Sequence, residues 1–201
     1  KNLNLLALSQ IKVYGDHQTA QRILEESIAL QQKSPPSPTF IEALRTLSRV
    51  KSAGGDYESA ERYLGEAIGL SRRGEDKVEY VALLFERTVL CRRQNQFDAG
   101  LNFGNQCLES VRSMGSLRWE ALIKTQLALL HQAKKNYPQA LSFLLESLQL
   151  FVEVGDVYEE AYCHFFLYKL YQAMGMTEQS EQSRQQAILL NKTLRDQELR
   201  Q

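Results

Sequence analysis

The chain has 201 residues, of which 43% are hydrophobic and 24% are charged, and its 24 basic side chains balance its 24 acidic ones. This neutral balance argues against bulk electrostatic binding, so we expect neither nucleic acid nor an anionic membrane as a partner. No apolar run approaches the about 20 residues that a membrane-spanning helix needs. The first residues include no Met and no signal-peptide pattern, so we interpret the chain as a fragment of a longer protein.

A small residue recurs at intervals of forty positions and defines a repeat along the whole chain. The five copies are Ala20, Ala60, Gly100, Ala140 and Ser180. Eight residues after each copy stands an Ile or a Leu, and three residues before the middle three copies stands an aromatic residue. A fixed period of this size indicates an array of similar units, in which each unit buries a face of its neighbour. We therefore predict a single domain over 1–201, with repeats at about 1–36, 37–76, 77–116, 117–156 and 157–201.

Each repeat is predicted to form two helices, because apolar residues recur three and four positions apart and no stretch alternates as a strand would. In chain order the predicted helices are 2–14, 17–32, 39–53, 57–72, 77–94, 97–113, 117–134, 137–153, 157–174 and 177–197. Glycine can hold the left-handed conformation that ends a first helix, and Asp can cap the second, as at Gly54-Gly55-Asp56. Pro38 suits the first turn of a helix that Ser37 caps. The predicted fold class is all-α.

The segment from Gly55 to Ala60, with Leu64 and Ala67 after it, resembles the second half of a tetratricopeptide (TPR) repeat. Asn136 to Ala140 repeats the pattern, and a leucine stands at the matching first-helix place in three units. The period of forty differs from the usual period of about 34, and the usual closing proline is absent. The chain is therefore similar to the longer-helix branch of the family, which includes kinesin light chains, adaptors, subunits of large assemblies and bacterial signal-sensing regulators. The resemblance implies a right-handed α-solenoid of about five helical hairpins.

In this family the first helices line a concave groove that binds a peptide or a partner helix. Carried over by register, the resemblance places these residues in the groove: Arg45, Arg49, Phe85, Arg92, Arg93, Leu129, Tyr162, Phe165 and Lys169. Cations beside apolar side chains indicate a partner segment with acidic and hydrophobic residues, since the planar guanidinium of arginine matches a carboxylate well. The alternative is that these residues are solvated charges beside ordinary stacking contacts.

Trp119 is the only tryptophan of the chain, and the equivalent positions of other repeats hold Thr39, Glu79 and Glu159, which are polar. An aromatic residue at such a position is a candidate partner contact, because tryptophan is enriched among binding hot spots. Packing of Trp119 against the preceding turn is the alternative.

The sequence contains no recognisable catalytic, metal-binding or cofactor-binding set. His17, His131 and His164 are scattered, and none has a second ligand at metal spacing. Cys91 and His131 lack a third orienting group, and the glycines close helices instead of forming a phosphate loop. We therefore expect no enzyme activity and no cofactor. Three cysteines cannot all pair, which indicates a reducing compartment and an intracellular protein.

The predicted function is a non-catalytic scaffold that binds a protein or peptide segment, as an adaptor or a subunit of a larger complex. The alternative is a ligand-sensing or self-association domain of a multidomain regulator. In that alternative the charged last helix, from Ile188 to Gln201, docks a sister chain or an effector domain.

Overall fold

The computed structural model divides the chain into two compact units, Lys1–Gln96 and Phe97–Gln201. The residues that it describes are 2–9, 17–31, 37–72 and 76–198. All regular structure within these stretches is α-helical, which confirms the predicted fold class. Whether the two units form the single predicted domain stays a prediction.

Ten helices lie within the described residues. They are α1 (Asn2–Ser9), α2 (His17–Gln31), α3 (Pro38–Ala53), α4 (Tyr57–Ser71), α5 (Lys77–Arg93), α6 (Phe97–Met114), α7 (Leu117–Ala133), α8 (Tyr137–Val154), α9 (Val157–Ala173) and α10 (Thr177–Glu198). Their bounds agree with the predicted ones to one residue, apart from 10–14 of the first predicted helix, which lie outside the described residues. No helix in the described stretches is long and apolar enough to cross a membrane.

Side-chain caps fix where the helices begin. The Ser37 hydroxyl accepts a hydrogen bond from the Phe40 amide at 3.2 Å, and Pro38 occupies the first helical turn. The Asp56 carboxylate accepts one from the Ser59 amide, also at 3.2 Å. Each such cap satisfies a backbone amide that has no partner within the helix, and is worth about 1 kcal/mol. The predicted caps at Ser37 and Asp56 are confirmed.

In the first unit, α1 to α5 pack in chain order, and α3 also contacts α5 directly. The small residues Ala20 and Ala60 are fully buried beside leucines such as Leu24, Leu44 and Leu64. A small side chain at this position lets the second helix of each hairpin approach its neighbours closely. The direct contact between α3 and α5 places side chains of successive first helices within reach of one another.

In the second unit, α7 forms a hairpin with α8, and α9 forms one with α10. Helix α6 packs on α7, and α8 packs on α9. The repeat residues Gly100, Ala140 and Ser180 are buried, as the period predicts. Apolar side chains from α7, α8 and α9 form a shared core, so each hairpin is held by the next as well as by its own two helices.

The same substitution is expected to change stability in opposite directions at two glycines of the first unit. Gly55 lies in the α3–α4 turn with φ of +84°, where a Cβ atom is strained, whereas Gly69 is an exposed helical residue of α4 with open space around it. Gly55→Ala should lower the free energy of unfolding by about 1 kcal/mol, and Gly69→Ala should raise it by about 1 kcal/mol. Urea denaturation followed by circular dichroism measures both changes, and equal signs would contradict the turn geometry.

Candidate functional site

Two of the predicted arginines are paired with acidic residues of the same unit. Nε of Arg45 on α3 lies 2.9 Å from Oε1 of Glu79 on α5. Arg49 lies one turn further along α3, and its Nη1 atom is 3.8 Å from Oε1 of Glu86, which lies two turns beyond Glu79 on α5. The side chains of both glutamates are more than four-fifths buried. The positive charge predicted for this surface is therefore partly neutralised by two carboxylates that the prediction did not include.

The other predicted residues of the first unit lie on α5. Nη1 of Arg93 donates a hydrogen bond to the Ser52 hydroxyl at 3.1 Å. Burial lowers the pKa of Arg92, and the adjacent charge of Arg93 lowers it further. Phe85 is partly buried on the same helix. The structure thus places the five predicted residues of this unit on two neighbouring helices, where most of them have intramolecular contacts.

Glu86 shows how strongly this part of the surface is withdrawn from water. Burial raises the pKa of its carboxyl, and the nearby cations of Arg49, Arg45 and Arg93 oppose that rise without cancelling it. A buried carboxylate of this kind holds the arginines in place. It also competes with any external carboxylate for the same guanidinium groups.

In the second unit the predicted residues Tyr162, Phe165 and Lys169 lie on one face of α9. Both aromatic rings are exposed, although large apolar side chains usually avoid water. Tyr158 extends the face by one turn, and its ring centroid lies 5.0 Å from that of Tyr162. The neighbouring rings of Phe165 and Tyr168 are 6.3 Å apart. The structure therefore brings these side chains together as a continuous aromatic surface.

Lys169 lies beside this aromatic surface. Its Nζ atom is 5.3 Å from the ring centroid of Tyr168 and 5.8 Å from that of Phe165. Among the described residues no carboxylate forms an ion pair with Lys169. Its charge is exposed and held over two rings, so it is available to an external anion.

A groove of about 560 Å³ opens between α9 and α10 beside the aromatic surface. Its lining residues are Tyr158, Ala161, Tyr162, Phe165, Tyr168, Arg184, Ala187, Ile188 and Asn191. We call this the α9–α10 groove. The groove residues of α10 are not among the predicted site residues, because the family resemblance places the binding groove on first helices. Ile188 and Asn191 fall within the last helix that the alternative of a docking domain used.

Arg184 at the edge of the groove is held by its own helix. Its Nε and Nη2 atoms lie 2.9 and 2.8 Å from the two carboxylate oxygens of Glu181. The hydrogen bonds from Arg184 and then from Gln185 lower the pKa of Glu181 to about 2. The arginine therefore presents an oriented guanidinium group whose charge is balanced locally.

The remaining predicted residues of the second unit, Leu129 and Trp119, lie on α7. Both are partly buried, and neither lines the α9–α10 groove. The structure thus divides the predicted set into the α3–α5 residues of one unit, the α9 residues of the other, and two residues of α7.

The described residues include no group of three or more His, Cys, Asp or Glu side chains placed to hold a metal ion. Each of the three cysteines is buried, and burial raises the pKa of the Cys91 and Cys163 thiols. His131 stacks on Phe143 with ring centroids 5.7 Å apart. The side chain of His17 lies outside the described residues.

Acidification is expected to destabilise the second unit through His131 and His164. Burial lowers the pKa of both imidazoles below the ordinary value of 6.5, and Nδ1 of His164 is buried without a hydrogen-bond partner in the described structure. Protons therefore bind the unfolded chain more readily than the folded one. The neutral imidazoles contribute fully to the free energy of unfolding above the unfolded pKa, and this contribution is lost as the pH falls through 6.5 toward the lower folded pKa values. We expect the urea midpoint to fall between about pH 7.5 and about pH 5.5.

The double variant His131→Gln, His164→Gln should show a smaller fall in midpoint over the same pH range. The comparison with the parent chain isolates the imidazoles from carboxyl groups such as Glu86, whose raised pKa acts in the opposite direction. An unchanged pH dependence in the double variant would show that these histidines are not responsible.

Solved structures of helical-repeat proteins match most of the chain. A Rap protein complexed with Competence and Sporulation Factor matches 94% of this chain and 52% of its own length, with a TM-score of 0.85 and 13% identity. A signal transduction ATPase with a tetratricopeptide repeat sensor, from Pyrococcus horikoshii, matches 98% of this chain and 30% of its own, with a TM-score of 0.77 and 19% identity. A kinesin light chain candidate from Podosopora anserina has nearly identical TPR-like repeats. It matches 96% of this chain and 95% of its own length, with a TM-score of 0.72 and 17% identity.

The sequence itself matches no family model and no curated protein. At identities of 13–19%, the likeness to the solved structures concerns the fold. Their repeats are of the type that the segments around Ala60 and Ala140 predict. The chain is therefore a tetratricopeptide-like helical-repeat protein in its fold.

Proposed function

We propose that the chain is a non-catalytic scaffold that binds a segment of another protein on the exposed aromatic surface of α9. The observation that carries the proposal is the exposure of Tyr158, Tyr162 and Phe165 next to the cation of Lys169. A contiguous apolar patch with a polar border marks an interaction site more often than an ordinary solvated surface. Tyrosine and phenylalanine contribute large contact areas with few rotatable bonds.

The partner segment that fits this surface has apolar side chains and at least one carboxylate. The apolar side chains would cover the rings of Tyr162 and Phe165, and the carboxylate would pair with Lys169. Exclusion of water by the apolar contacts would strengthen that ion pair, because Coulomb attraction grows as the local dielectric constant falls. This chemistry is the same as that predicted for the partner from the sequence.

The fold supports a role in recognition. A Rap protein that matches this chain in fold over 52% of its own length is complexed with Competence and Sporulation Factor, so a protein that contains this fold can bind a factor. A stacked scaffold is ordered before binding, which reduces the entropy lost when a partner docks. We place the chain as an adaptor or a subunit of a larger complex, since the proposed site performs binding alone.

The predicted residues outside α9 are secondary contacts in this proposal. Arg45 and Arg49 contribute less than Lys169, because Glu79 and Glu86 already bind them. Arg92, Arg93 and Phe85 are kept as candidate contacts of the first unit. Leu129 and Trp119 are kept as candidate contacts of α7.

Peptides selected against the chain from a library of random sequences provide a direct test. Selected peptides, synthesised with a fluorophore, should carry acidic and apolar residues. Phe165→Ala and Lys169→Glu should each weaken their binding about tenfold or more, as measured by fluorescence anisotropy. Val152→Ala, which removes an exposed apolar side chain of α8, is the matched control and should leave binding unchanged.

Circular dichroism must first show that each variant keeps its helical content. Binding that survives both α9 substitutions would overturn the proposed site. If binding instead fails with the double variant Arg45→Glu, Arg49→Glu, the site lies on α3. A molecular mass that rises with concentration and falls on truncation of α10 would favour the alternative of a self-association domain, although residues 199–201 lie outside the described structure.

A further inference from the structure

Helix α9 lies in a well-defined seat on the hairpin of α7 and α8. The Thr125 and Ser147 hydroxyl oxygens are 3.7 and 3.6 Å from Sγ of Cys163, the α9 residue between them. Phe151 is fully buried in the same cluster as Cys163. The seat is thus formed by one side chain of α7 and two of α8, all directed at a single helix.

The α9–α10 groove is lined by the residues that stand forty positions after this seat. Phe165 corresponds to Thr125, Ala187 to Ser147 and Asn191 to Phe151, and all three line the groove. The other lining residues correspond in the same way to Arg118, Ala121, Leu122, Ala128, Leu144 and Leu148. Arg118 forms an ion pair with Asp156, the residue that caps α9. The other five pack in the two apolar clusters that also contain residues of α9.

We infer that the α9–α10 groove is a seat for one amphipathic, acidic helix of a partner protein, docked as α9 docks on α7 and α8. The inference rests on the proposed function and adds to it the conformation and position of the bound segment. The α9–α10 groove is thus the equivalent, forty positions later in the chain, of the surface of α7 and α8 on which α9 packs. A segment with a helical stripe of apolar residues fits such a surface better than an extended strand does, because helix ridges pack into the grooves between helices.

The residues of the seat indicate which side chains the bound helix presents. On the α9 side, Tyr162, Phe165 and Tyr168 replace the smaller Leu122, Thr125 and Ala128. These larger rings require alanine or other small residues on the facing stripe of the partner helix.

On the α10 side the seat is polar where the preceding hairpin is apolar. Arg184 and Asn191 stand in place of the fully buried Leu144 and Phe151. Arg184 already has Glu181 as its hydrogen-bond partner, whereas Asn191 needs a partner once it is covered. The bound helix therefore carries an acidic or amide residue toward α10, and a carboxylate at its edge meets Lys169.

A second copy of the chain fits this seat less well than an acidic helix does. A two-fold interface places the same face of each copy against the other. It would bring the Lys169 cations of both copies to one interface, where like charges repel. An acidic partner helix meets the same cation with the opposite charge.

The test uses the fluorescent peptides selected against the chain and two neighbouring residues of α10. Ile188 and Leu189 are 55% and 56% exposed, but Ile188 alone lines the groove. Ile188→Lys should weaken binding about tenfold or more, whereas Leu189→Lys should leave it within about twofold. Ala187→Leu, which fills the floor of the seat, should also weaken binding. Circular dichroism of the mixture should show that the peptide gains helix, and a proline at its centre should abolish binding.

The outcomes separate this inference from the proposed function. If Phe165→Ala abolishes binding while Ile188→Lys and Leu189→Lys behave alike, the α9 site stands and the helix seat is wrong. Binding without any gain of helix would also overturn the inference. A chain that is dimeric at the working concentration, and that Ile188→Lys converts to a monomer, would show that a second copy occupies the groove. Loss of every effect, including that of Phe165→Ala, would reject the proposed function itself.

Discussion

Phe151→Ala is expected to lower the free energy of unfolding by about 3–5 kcal/mol. The ring of Phe151 is 0% exposed and packs with Ala121 of α7 and Cys163 of α9. Three helices therefore lose contacts when the ring is removed. The loss combines the transfer of the ring from water with a cavity that helices on all sides cannot close completely.

The adjacent residue provides the control. Val152 is 55% exposed on the same helix, so Val152→Ala should change the free energy of unfolding by less than about 0.5 kcal/mol. Guanidinium denaturation followed by circular dichroism measures both variants. A loss below about 1 kcal/mol for Phe151→Ala would contradict the packing of α8 against α7 and α9.

The sequence repeat predicted the fold because the residues that begin, end and pack the helices recur in each unit. The cap Asp56 and the turn residue Gly55 act within a few positions of the chain, and the buried small residues Ala60 and Ala140 recur at the fixed period. The helix bounds follow from these local signals. Two turns do without glycine, since Asn95 and Lys135 hold φ values of 59° and 60°. The sequence pattern did not predict that Asn95 and Lys135 adopt the left-handed conformation that glycine holds in other turns.

The charge balance of the predicted α3–α5 surface could not be read from the sequence. Arg45 and Glu79 are 34 positions apart, so their contact depends on the relative rotation of two helices. The net charge of the whole chain gave no indication of this local pairing. The family resemblance assigns only one face of each first helix to the groove. That face includes Arg45 and Arg49 but not Glu79 and Glu86, the α5 residues that pair with them.

The α10 side of the groove had a signal in the sequence that the family resemblance obscured. Arg184 and Asn191 stand where Leu144 and Phe151 stand forty positions earlier, and such a change from apolar to polar marks a face with a different environment. The resemblance directed attention to first helices, so the second-helix positions that hold Arg184 and Asn191 were not compared between repeats. The exposure of Ile188 required the structure, because every equivalent position also holds Ile or Leu.

A second large effect is expected at Lys124, a cation of α7 that is only 7% exposed. Its Nζ atom lies 2.9 Å from Oε1 of Glu120 and 2.9 Å from Oε2 of Glu146. Burial alone would lower the pKa of Lys124, but its hydrogen bonds to Glu146 and Glu120 outweigh burial and raise it. The same pairing lowers the pKa of Glu146. The lysine thus joins α7 to α8 as part of a charge network within the second unit.

Lys124→Glu should lower the free energy of unfolding by about 3–5 kcal/mol, because it places a third carboxylate beside two others in a confined site. Lys124→Met keeps the length of the side chain without its charge and should cost only about 1 kcal/mol. The smaller cost follows because Glu146 is nearly half-exposed and Arg112 remains 3.6 Å from Glu120. Urea denaturation at neutral pH measures the two variants.

The cause of the loss can be separated from a packing defect by its pH dependence. Crowded carboxylates take up protons as the pH falls toward the ordinary glutamate value of 4.5, which relieves their repulsion. The difference in stability between Lys124→Glu and the parent chain should therefore shrink on acidification, and adding Glu146→Lys should recover part of it at neutral pH. A difference that stays constant with pH, or an equal loss in Lys124→Met, would assign the effect to packing of the lysine stem. The salt bridges of α7 would then count for little in holding the hairpin together.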